Sequence, residues 1–278
     1  MKKLLLIASV GLCVFTSIIA ANKPVSNSKT PVKKTANYAA GTDNSAEVNY
    51  WIDSLYSQMN LSAAGLTRNA FFDACKGYEY LLTQNEIQKP GLLTICDYSQ
   101  SSNKKRLYVL DLNSGKILFN TYVSHGRNSG STYATSFSNK TDSYKSSLGF
   151  LITAETYIGD NGYSLRLDGL EKGFNDNVRN RAIVMHGSNY VSGERATDGI
   201  MMGRSFGCPA VPAAQVRDIV DCIKGGSCIF NYYPDKKYTQ SSKILNADFV
   251  WPVAQSIQLA SAKIPDSLRS IDSGLSLN

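Results

Sequence analysis

One segment, residues 181–212, constrains the fold of this chain more than any other; it reads RAIVMHGSNYVSGERATDGIMMGRSFGCPAVP. Its apolar run, Ala182–Met185, has the length and β-branched content of a buried strand, and we expect that strand to end at His186-Gly187. After a polar excursion, a turn punctuated by glycine and proline holds Cys208. Because a nearby base or cation activates a cysteine, this arrangement predicts thiol chemistry.

Two histidines compete for the role of base. The chain contains only His125 and His186. Both end strand-like runs and both precede a glycine, so spacing alone does not choose between them. The structural alternatives are a core histidine at His186 and a buried thiol or disulfide half at Cys208. Gly207 lets a substrate carbonyl approach the backbone, which favours an oxyanion hole built from N–H groups around Cys208.

A helix is predicted soon after the cysteine. Pro212 suits the first helical position, and Gly225-Gly226 suit the end. The residues between them that form one apolar face are Val216, Ile219, Val220 and Ile223. A helix beginning at Pro212 would bring its positive end within a few residues of Cys208 and favour the thiolate.

The amino terminus has the pattern of a secretory signal peptide over residues 1–21. A basic start precedes an apolar run that ends in small residues. A membrane anchor is the alternative, for which this run is barely long enough. Residues 22–44 are polar and proline-containing, which predicts a flexible linker. We therefore expect an exported protein of the periplasm or cell envelope of a bacterium, without a transmembrane span after cleavage.

The chain is basic, with a formal net charge of +7 at pH 7. This balance suits contact with an anionic wall, a lipid surface or nucleic acid and does not distinguish among them. Because lysine and arginine are spread along the sequence without a basic-aromatic motif, we expect no nucleic-acid partner.

The cysteines predict disulfide bonds. Besides Cys13, which lies within the predicted signal peptide, the chain has five cysteines, and exported proteins usually pair theirs. If Cys208 is the nucleophile, local spacing favours pairs between Cys222 and Cys228 and between Cys75 and Cys96, among three possible connectivities. With two histidines and no C-x-x-C pair, we expect neither a metal nor another cofactor.

Periodicity divides the rest of the chain. Two amphipathic helices are predicted within residues 45–90, with Thr67 as a possible N-cap of the second. Short strand-like runs, including LLTICD, RLYVLDL and KILFNTYVS, dominate residues 91–250. Residues 251–278 are weakly patterned and form a C-terminal tail. We expect a mainly β domain with accessory helices, of the α+β class, preceded by a helical pair.

The combined motifs resemble those of murein L,D-transpeptidase catalytic-domain proteins, which have the YkuD-like fold. The His-Gly pair, the S-x-G-C motif and the segments SHGRNSG, TSFSN, SSLGF and SLRLDGLEKGFN carry the resemblance, which covers about residues 60–232. It implies a β-sandwich or barrel-like core in which the His186 strand and the Cys208 loop meet in one cleft.

The resemblance also implies residue roles. Cys208 is the acyl-accepting nucleophile and His186 its base, oriented by the backbone carbonyl of Gly187. Ser205 supports the histidine or the loop, and the N–H groups of Gly207 and Cys208 face the oxyanion. The residues expected to contact substrate are His125, Arg204, Phe206 and Tyr190. Relatives often have histidine in place of Phe206 and asparagine or arginine in place of Ala210, so those substrate contacts differ here.

The implied reaction transfers the acyl group of a peptidoglycan stem tetrapeptide through a Cys208 thioester to an amine, giving a 3→3 cross-link. Peptidoglycan stem peptides are thus the expected partner. If water is the acceptor, the protein is an L,D-carboxypeptidase. The departures at Phe206 and Ala210 also leave open an inactive cell-wall-binding protein on the same scaffold.

Overall fold

One eight-stranded mixed sheet organises the computed structural model, which describes residues 46–252. The strand order is β3-β2-β1-β8-β4-β5-β6-β7. In chain order the elements are α1 (Ala46–Gln58), α2 (Arg68–Thr83), β1 (Leu92–Asp97), β2 (Leu107–Asp111), β3 (Lys116–Thr121), β4 (Gly149–Gly159), β5 (Gly162–Gly169), β6 (Val184–Ser188), α3 (Gly193–Thr197), β7 (Ala210–Pro212), α4 (Val216–Ile223), β8 (Cys228–Tyr232) and α5 (Lys236–Ser241). The predicted mainly β, α+β domain with a preceding helical pair is confirmed. The predicted signal peptide, the linker and the tail beyond residue 252 lie outside the described residues.

The helical pair packs on one face of the sheet. The apolar stripe of α1 is buried, as its spacing predicts. Thr67 caps α2, because its side chain accepts a hydrogen bond from the N–H of Ala70 at 3.2 Å. Trp251, the first residue of the predicted tail, is also buried here, with its ring edge-on to that of Trp51 at 6.3 Å. The helices and this aromatic contact close one apolar core.

Alternating side chains divide the interior into two cores. On β8, Cys228 and Phe230 face the core shared with α1 and α2, whereas Ile229 faces the core shared with α4. This alternation follows from the period of two in a β-strand. The first core stabilises the helical pair against the sheet, and the second supports the strands that carry the predicted site.

The predicted helix start at Pro212 is wrong. Ala210–Pro212 forms β7, which pairs in parallel with β6, and α4 begins four residues later at Val216. A strand forms here instead of a helix because Ala210 and Val211 are fully buried against the sheet. Pro212 sits at the end of an edge strand, where a missing N–H is tolerated. The α4 N-terminus therefore begins eight residues after Cys208, later in the sequence than expected.

The structure does not contain the two predicted disulfides; the five cysteines within residues 46–252 are all free thiols. Cys75 lies in the core under α2, whereas Cys96 faces the opposite core. Cys228 and Cys222 are likewise on different sides of the sheet. Short sequence spacing suggested these pairs, but the sheet lies between the members of each.

Candidate active site

The parallel pairing of β6 with β7 brings the cysteine turn beside the histidine strand. His186 is in register with Ala210, two residues after Cys208. The N–H of Val184 donates to the Cys208 sulfur at 3.5 Å, and this sulfur lies 3.8 Å from the carbonyl oxygen of Ala182. The strand begins at Val184, two residues later than predicted, because Ala182 adopts a left-handed conformation with φ of 51°. Because the strand continues to Ser188, His186 is central in β6 and not at its end.

His186 is buried and its ring orientation is fixed by the backbone. Its Nδ1 lies 2.9 Å from the carbonyl oxygen of Gly187. Because a carbonyl only accepts hydrogen bonds, Nδ1 carries the proton and Nε2 is the basic nitrogen. Burial lowers the pKa of His186, against an opposing effect of the Gly187 carbonyl. The ring is consequently neutral at pH 7 and able to accept a proton.

The Cys208 sulfur is held as a thiol in the resting protein. Burial raises its pKa above that of an ordinary cysteine. The Val184 N–H and the positive charge of Arg181 act in the opposite direction but do not reverse the shift. Because little thiolate is present at neutral pH, attack by this sulfur requires a base.

Ser205 braces the cysteine turn internally. Its hydroxyl donates to the carbonyl oxygen of Cys208 at 2.7 Å and accepts from the N–H of Gly207 at 3.0 Å. Gly207 has a φ of 129°, a region that disfavours residues with a side chain. Ser205 thus contacts the loop, one of the two supports expected for it. Since the Gly207 N–H is engaged by Ser205, its part in an oxyanion hole stays a prediction.

The geometry separates the two histidines. His125 is fully buried, and its Nδ1 lies 2.7 Å from Nη2 of Arg106. A guanidinium only donates, so Nδ1 is the acceptor here and is unavailable as a base. Burial, followed by the charge of Arg106, lowers the pKa of His125 to about 4. His125 is consequently neutral and takes a structural position.

The backbone around His125 holds the cysteine turn in place through hydrogen bonds. The N–H of Ser205 donates to the carbonyl of His125 at 3.0 Å, and the N–H of Arg127 donates to the carbonyl of Ser205 at 2.8 Å. One residue earlier, the N–H of Ser124 donates to the carbonyl of Ala210 at 2.8 Å. These contacts bracket Cys208 on both sides, so the segment expected to line the cleft also fixes the loop that carries Cys208.

An aromatic rim stands next to the cysteine. Phe206 is 62% exposed, and its ring packs on Tyr144 with centroids 4.9 Å apart. The guanidinium of Arg127 lies over both rings, 4.3 Å from the centroid of Tyr144 and 4.7 Å from that of Phe206. An exposed, preorganised aromatic surface of this kind is suited to contact with a ligand.

A surface cavity of about 280 Å³ opens beside this rim. Its lining includes Phe206, Tyr144, Asp142, Arg181 and Ala182, whose carbonyl faces the Cys208 sulfur. Asp142, Tyr144 and Ala182 have φ values of 55°, 52° and 51°. Non-glycine residues in this left-handed region are strained, and such strain concentrates at functional sites.

The other two predicted substrate contacts occupy different positions. Nη1 of Arg204 donates to the carbonyls of Arg127 and Gly130 at 2.9 and 2.8 Å, so this side chain ties two loops together. Tyr190 is half-buried, and its ring fills the space above Gly203. Burial raises the pKa of Tyr190, and the nearby Cys208 adds to this increase.

Sequence reasoning missed the residues that support the site from outside the motif. Arg106, Tyr144 and Arg181 were not singled out. Arg181 directly precedes the apolar run of β6, and a charged residue at the edge of a buried strand was an available signal. Arg106 and Tyr144 had no such signal, because only the fold brings them beside His125 and Phe206.

Within residues 46–252, no group of histidine, cysteine, aspartate and glutamate is arranged to hold a metal ion. The same stretch contains no helix long and apolar enough to cross a membrane. The structure therefore places the partly buried Cys208 thiol beside the strand that carries His186, a backbone-anchored, neutral histidine. A thiol and a neutral histidine are the groups that cysteine-dependent acyl transfer uses.

The family follows from sequence comparison. Residues 62–232, more than half of the chain, match the family model for the L,D-transpeptidase catalytic domain. The protein belongs to this family, whose members modify peptidoglycan. Comparison with curated proteins gives no significant match.

Solved structures give weaker similarities. An L,D-transpeptidase from Mycobacterium smegmatis is 12% identical with a TM-score of 0.33, over 51% of this chain and 59% of that one. A protein from Bdellovibrio bacteriovorus is 14% identical with a TM-score of 0.34, over 66% and 56%. An L,D-transpeptidase from Xylanimonas cellulosilytica is 15% identical with a TM-score of 0.31, over 65% and 93%. The chain thus matches less than two thirds of the length of the first two.

Proposed function

We propose that the protein is an exported, cysteine-dependent L,D-transpeptidase that acts on peptidoglycan stem peptides. The observation that carries this proposal is the placement of Cys208 beside β6, on which Nδ1 of His186 is anchored 2.9 Å from the Gly187 carbonyl. Family membership supplies the reaction class. A thiol with a raised pKa next to a neutral histidine needs general-base activation, which is the chemistry of acyl transfer.

In the first half-reaction, Nε2 of His186 takes the proton of the Cys208 thiol as the sulfur attacks the carbonyl carbon of the third stem residue. The C–N bond to the terminal D-alanine then breaks. The proton held by His186 passes to the leaving amine, and a thioester remains on Cys208. Backbone N–H groups of the cysteine turn stabilise the oxyanion, which requires the Gly207 N–H to exchange Ser205 for substrate.

In the second half-reaction, the side-chain amine of another stem attacks the thioester carbonyl. His186 removes a proton from this amine, the C–S bond breaks, and the proton returns to the Cys208 sulfur. The aromatic rim and the cavity beside Ala182 are suited to hold peptide next to the sulfur. The product is a 3→3 cross-link.

Export is part of the same proposal. The substrate lies outside the cytoplasm, and residues 1–21 have the pattern of a signal peptide. A positive net charge also favours contact with the anionic wall.

The test is to incubate the mature protein with a disaccharide-tetrapeptide and identify the products by mass spectrometry. Cross-linked dimer formed by the wild type and not by Cys208→Ala supports the transpeptidase. Tripeptide plus free D-alanine without dimer assigns the protein to the L,D-carboxypeptidases. Absence of turnover with a folded wild-type protein contradicts both activities and leaves a wall-binding role.

A further inference from the structure

Arg181 lies directly against the cysteine turn. Its Nη2 donates to the backbone carbonyl of Lys145 at 2.6 Å. The same nitrogen is 3.2 Å from the position that a Cβ on Gly207 would occupy. Arg181 also immediately precedes Ala182, whose carbonyl lies 3.8 Å from the Cys208 sulfur. The guanidinium of Arg181 therefore lies against the cysteine turn at Gly207, and its backbone adjoins the residue whose carbonyl is near the sulfur.

The remaining contacts of Arg181 fix the polar loop that walls the cavity. Nη1 donates to the carbonyl of Ser138 at 2.8 Å and to the hydroxyl of Ser147 at 2.7 Å. Nη2 also donates to the hydroxyl of Ser143 at 3.2 Å. Together with the bond to Lys145, the four hydrogen bonds of Arg181 end on neutral oxygens, so they hold the guanidinium in place without cancelling its charge.

A neighbouring arginine shows the contrast. Arg179, two residues away on the surface, forms ion pairs with Asp168 and Glu155, and its pKa is raised by both carboxylates. Burial lowers the pKa of Arg181, and the group that opposes this shift is Cys208. The guanidinium of Arg181 thus lies against the cysteine turn at Gly207, and its charge favours the thiolate form of Cys208.

Three titratable groups on the elements around the sulfur are uncharged at neutral pH. Burial raises the pKa values of Tyr98 and Tyr190, so both phenols stay protonated. His186, on the adjacent strand, is neutral because burial lowers its pKa. Arg181 is accordingly the cation that stabilises the negative charge on the sulfur when the Cys208 thiol loses its proton.

We propose that Arg181 is a positioning residue that holds the 138–147 loop and stabilises the Cys208 thiolate electrostatically. In this site the histidine is oriented by a carbonyl and not by a carboxylate, and the charge that favours thiolate comes from the turn that precedes β6. This role rests on the proposed function, in which the thiolate is the nucleophile, and adds a residue that the cysteine and histidine motifs do not contain.

The test compares Arg181→Lys, which keeps the charge, with Arg181→Gln, which keeps a side-chain donor without the charge. Iodoacetamide alkylation of the Cys208 peptide is followed by mass spectrometry from neutral to alkaline pH, with the Cys222 peptide as an internal reference. An opposite charge nearby lowers a thiol pKa by a unit or more, so Arg181→Gln should slow alkylation near neutral pH roughly tenfold. Arg181→Lys should restore most of that loss, and the control Arg179→Gln should match the wild type.

The outcomes distinguish an effect of the Arg181 charge from an effect of its hydrogen bonds alone. If both Arg181 variants are slowed equally, the charge plays no part and the proposal is overturned. If neither is slowed, it is overturned as well. Thermal melting of each variant establishes that it is folded at the assay temperature, which is lowered where needed. Because alkylation needs no stem peptide, the result is independent of whether transpeptidation is observed.

Discussion

Arg106 and His125 form a buried pair in which Nη2 of the arginine donates to Nδ1 of the histidine at 2.7 Å. The same guanidinium donates to the carbonyl of Val123 from Nε and Nη2, at 3.0 and 2.9 Å, and to the carbonyl of Gln100 at 2.8 Å. It also lies 5.2 Å from the ring centroid of Tyr98. This cluster adjoins the backbone segment that is hydrogen-bonded to the cysteine turn, so His125 supports that turn, whereas β6 carries His186, the base that we propose.

The pair predicts a difference between two replacements of His125. In His125→Asn the amide oxygen replaces Nδ1 as the acceptor for Arg106, whereas His125→Leu leaves a buried, charged N–H without that partner. We expect His125→Leu to lose about 3 kcal/mol of the free energy of unfolding and His125→Asn clearly less. Urea denaturation of both variants measures this. Equal stability of the two would show that the Arg106 contact contributes nothing.

The lowered pKa of His125 predicts acid sensitivity. Its pKa falls from 6.5 to about 4 in the folded protein. Below pH 6.5 the unfolded chain therefore binds a proton that the folded one refuses, and stability falls until about pH 4, by up to about 3 kcal/mol. The raised pKa of the buried Glu171 has the opposite sign, since it costs stability as pH rises.

Comparison with His125→Asn isolates the histidine contribution. The variant lacks the titrating group but keeps Glu171, so its unfolding free energy should decline less between pH 6.5 and pH 4 than that of the wild type. Parallel pH dependence in the two proteins would contradict the assignment.

Replacement of His186 should remove the base without removing the nucleophile. General-base catalysis contributes roughly 10²- to 10⁴-fold, so His186→Gln should slow acylation of Cys208 by a factor in that range. In the wild type, the acidic limb of the rate profile should lie below pH 6.5, because burial lowers the pKa of His186. Stopped-time mass spectrometry of the acylated protein measures both effects. A wild-type rate in His186→Gln would transfer the base to another group.

Gly207→Ala should disable the cysteine turn. A Cβ there would meet Cδ1 of Ile183 at 2.7 Å and the carbonyl oxygen of Lys145 at 2.8 Å, at a φ of 129°. Gly173→Ala is the matched control, since Gly173 also has a positive φ, 85°, but a Cβ would have no neighbour within 4 Å. We expect Gly207→Ala to lose acylation and Gly173→Ala to keep it. Equal acylation rates in the two would mean that the turn geometry is not required.

Local patterns were sufficient for much of the fold. The helical stripe of α1 and the Thr67 cap follow from spacing and hydrogen-bonding rules that act within one turn. The predicted helix start at Pro212 was wrong because the local preference of proline for that position was outweighed by burial of the adjacent residues against β6. The disulfide pairs failed for a related reason: which face of a sheet a cysteine occupies depends on strand pairing that sequence distance does not encode.

The site divides in the same way. Cys208 could be predicted as a candidate from its glycine- and proline-containing turn, whereas the choice of His186 over His125 came from the family resemblance; both roles stay predictions. Arg106, Tyr144 and Arg181 were missed because their importance comes from tertiary contacts with His125, Phe206 and Lys145, which lie 19, 62 and 36 positions away in the chain, respectively. The sequence analysis placed His125 in the cleft but did not predict its buried contact with Arg106, because neither residue has a local sequence signal for the other.

The central claim is that Cys208 carries the acyl group. The most direct measurement is the mass of the intact protein during reaction with disaccharide-tetrapeptide, followed by peptide mapping of the adduct. We expect a covalent disaccharide-tripeptide on Cys208, released D-alanine, and no adduct in Cys208→Ala. A folded wild type that turns over substrate with no adduct on Cys208, or with an adduct that persists in Cys208→Ala, would contradict it.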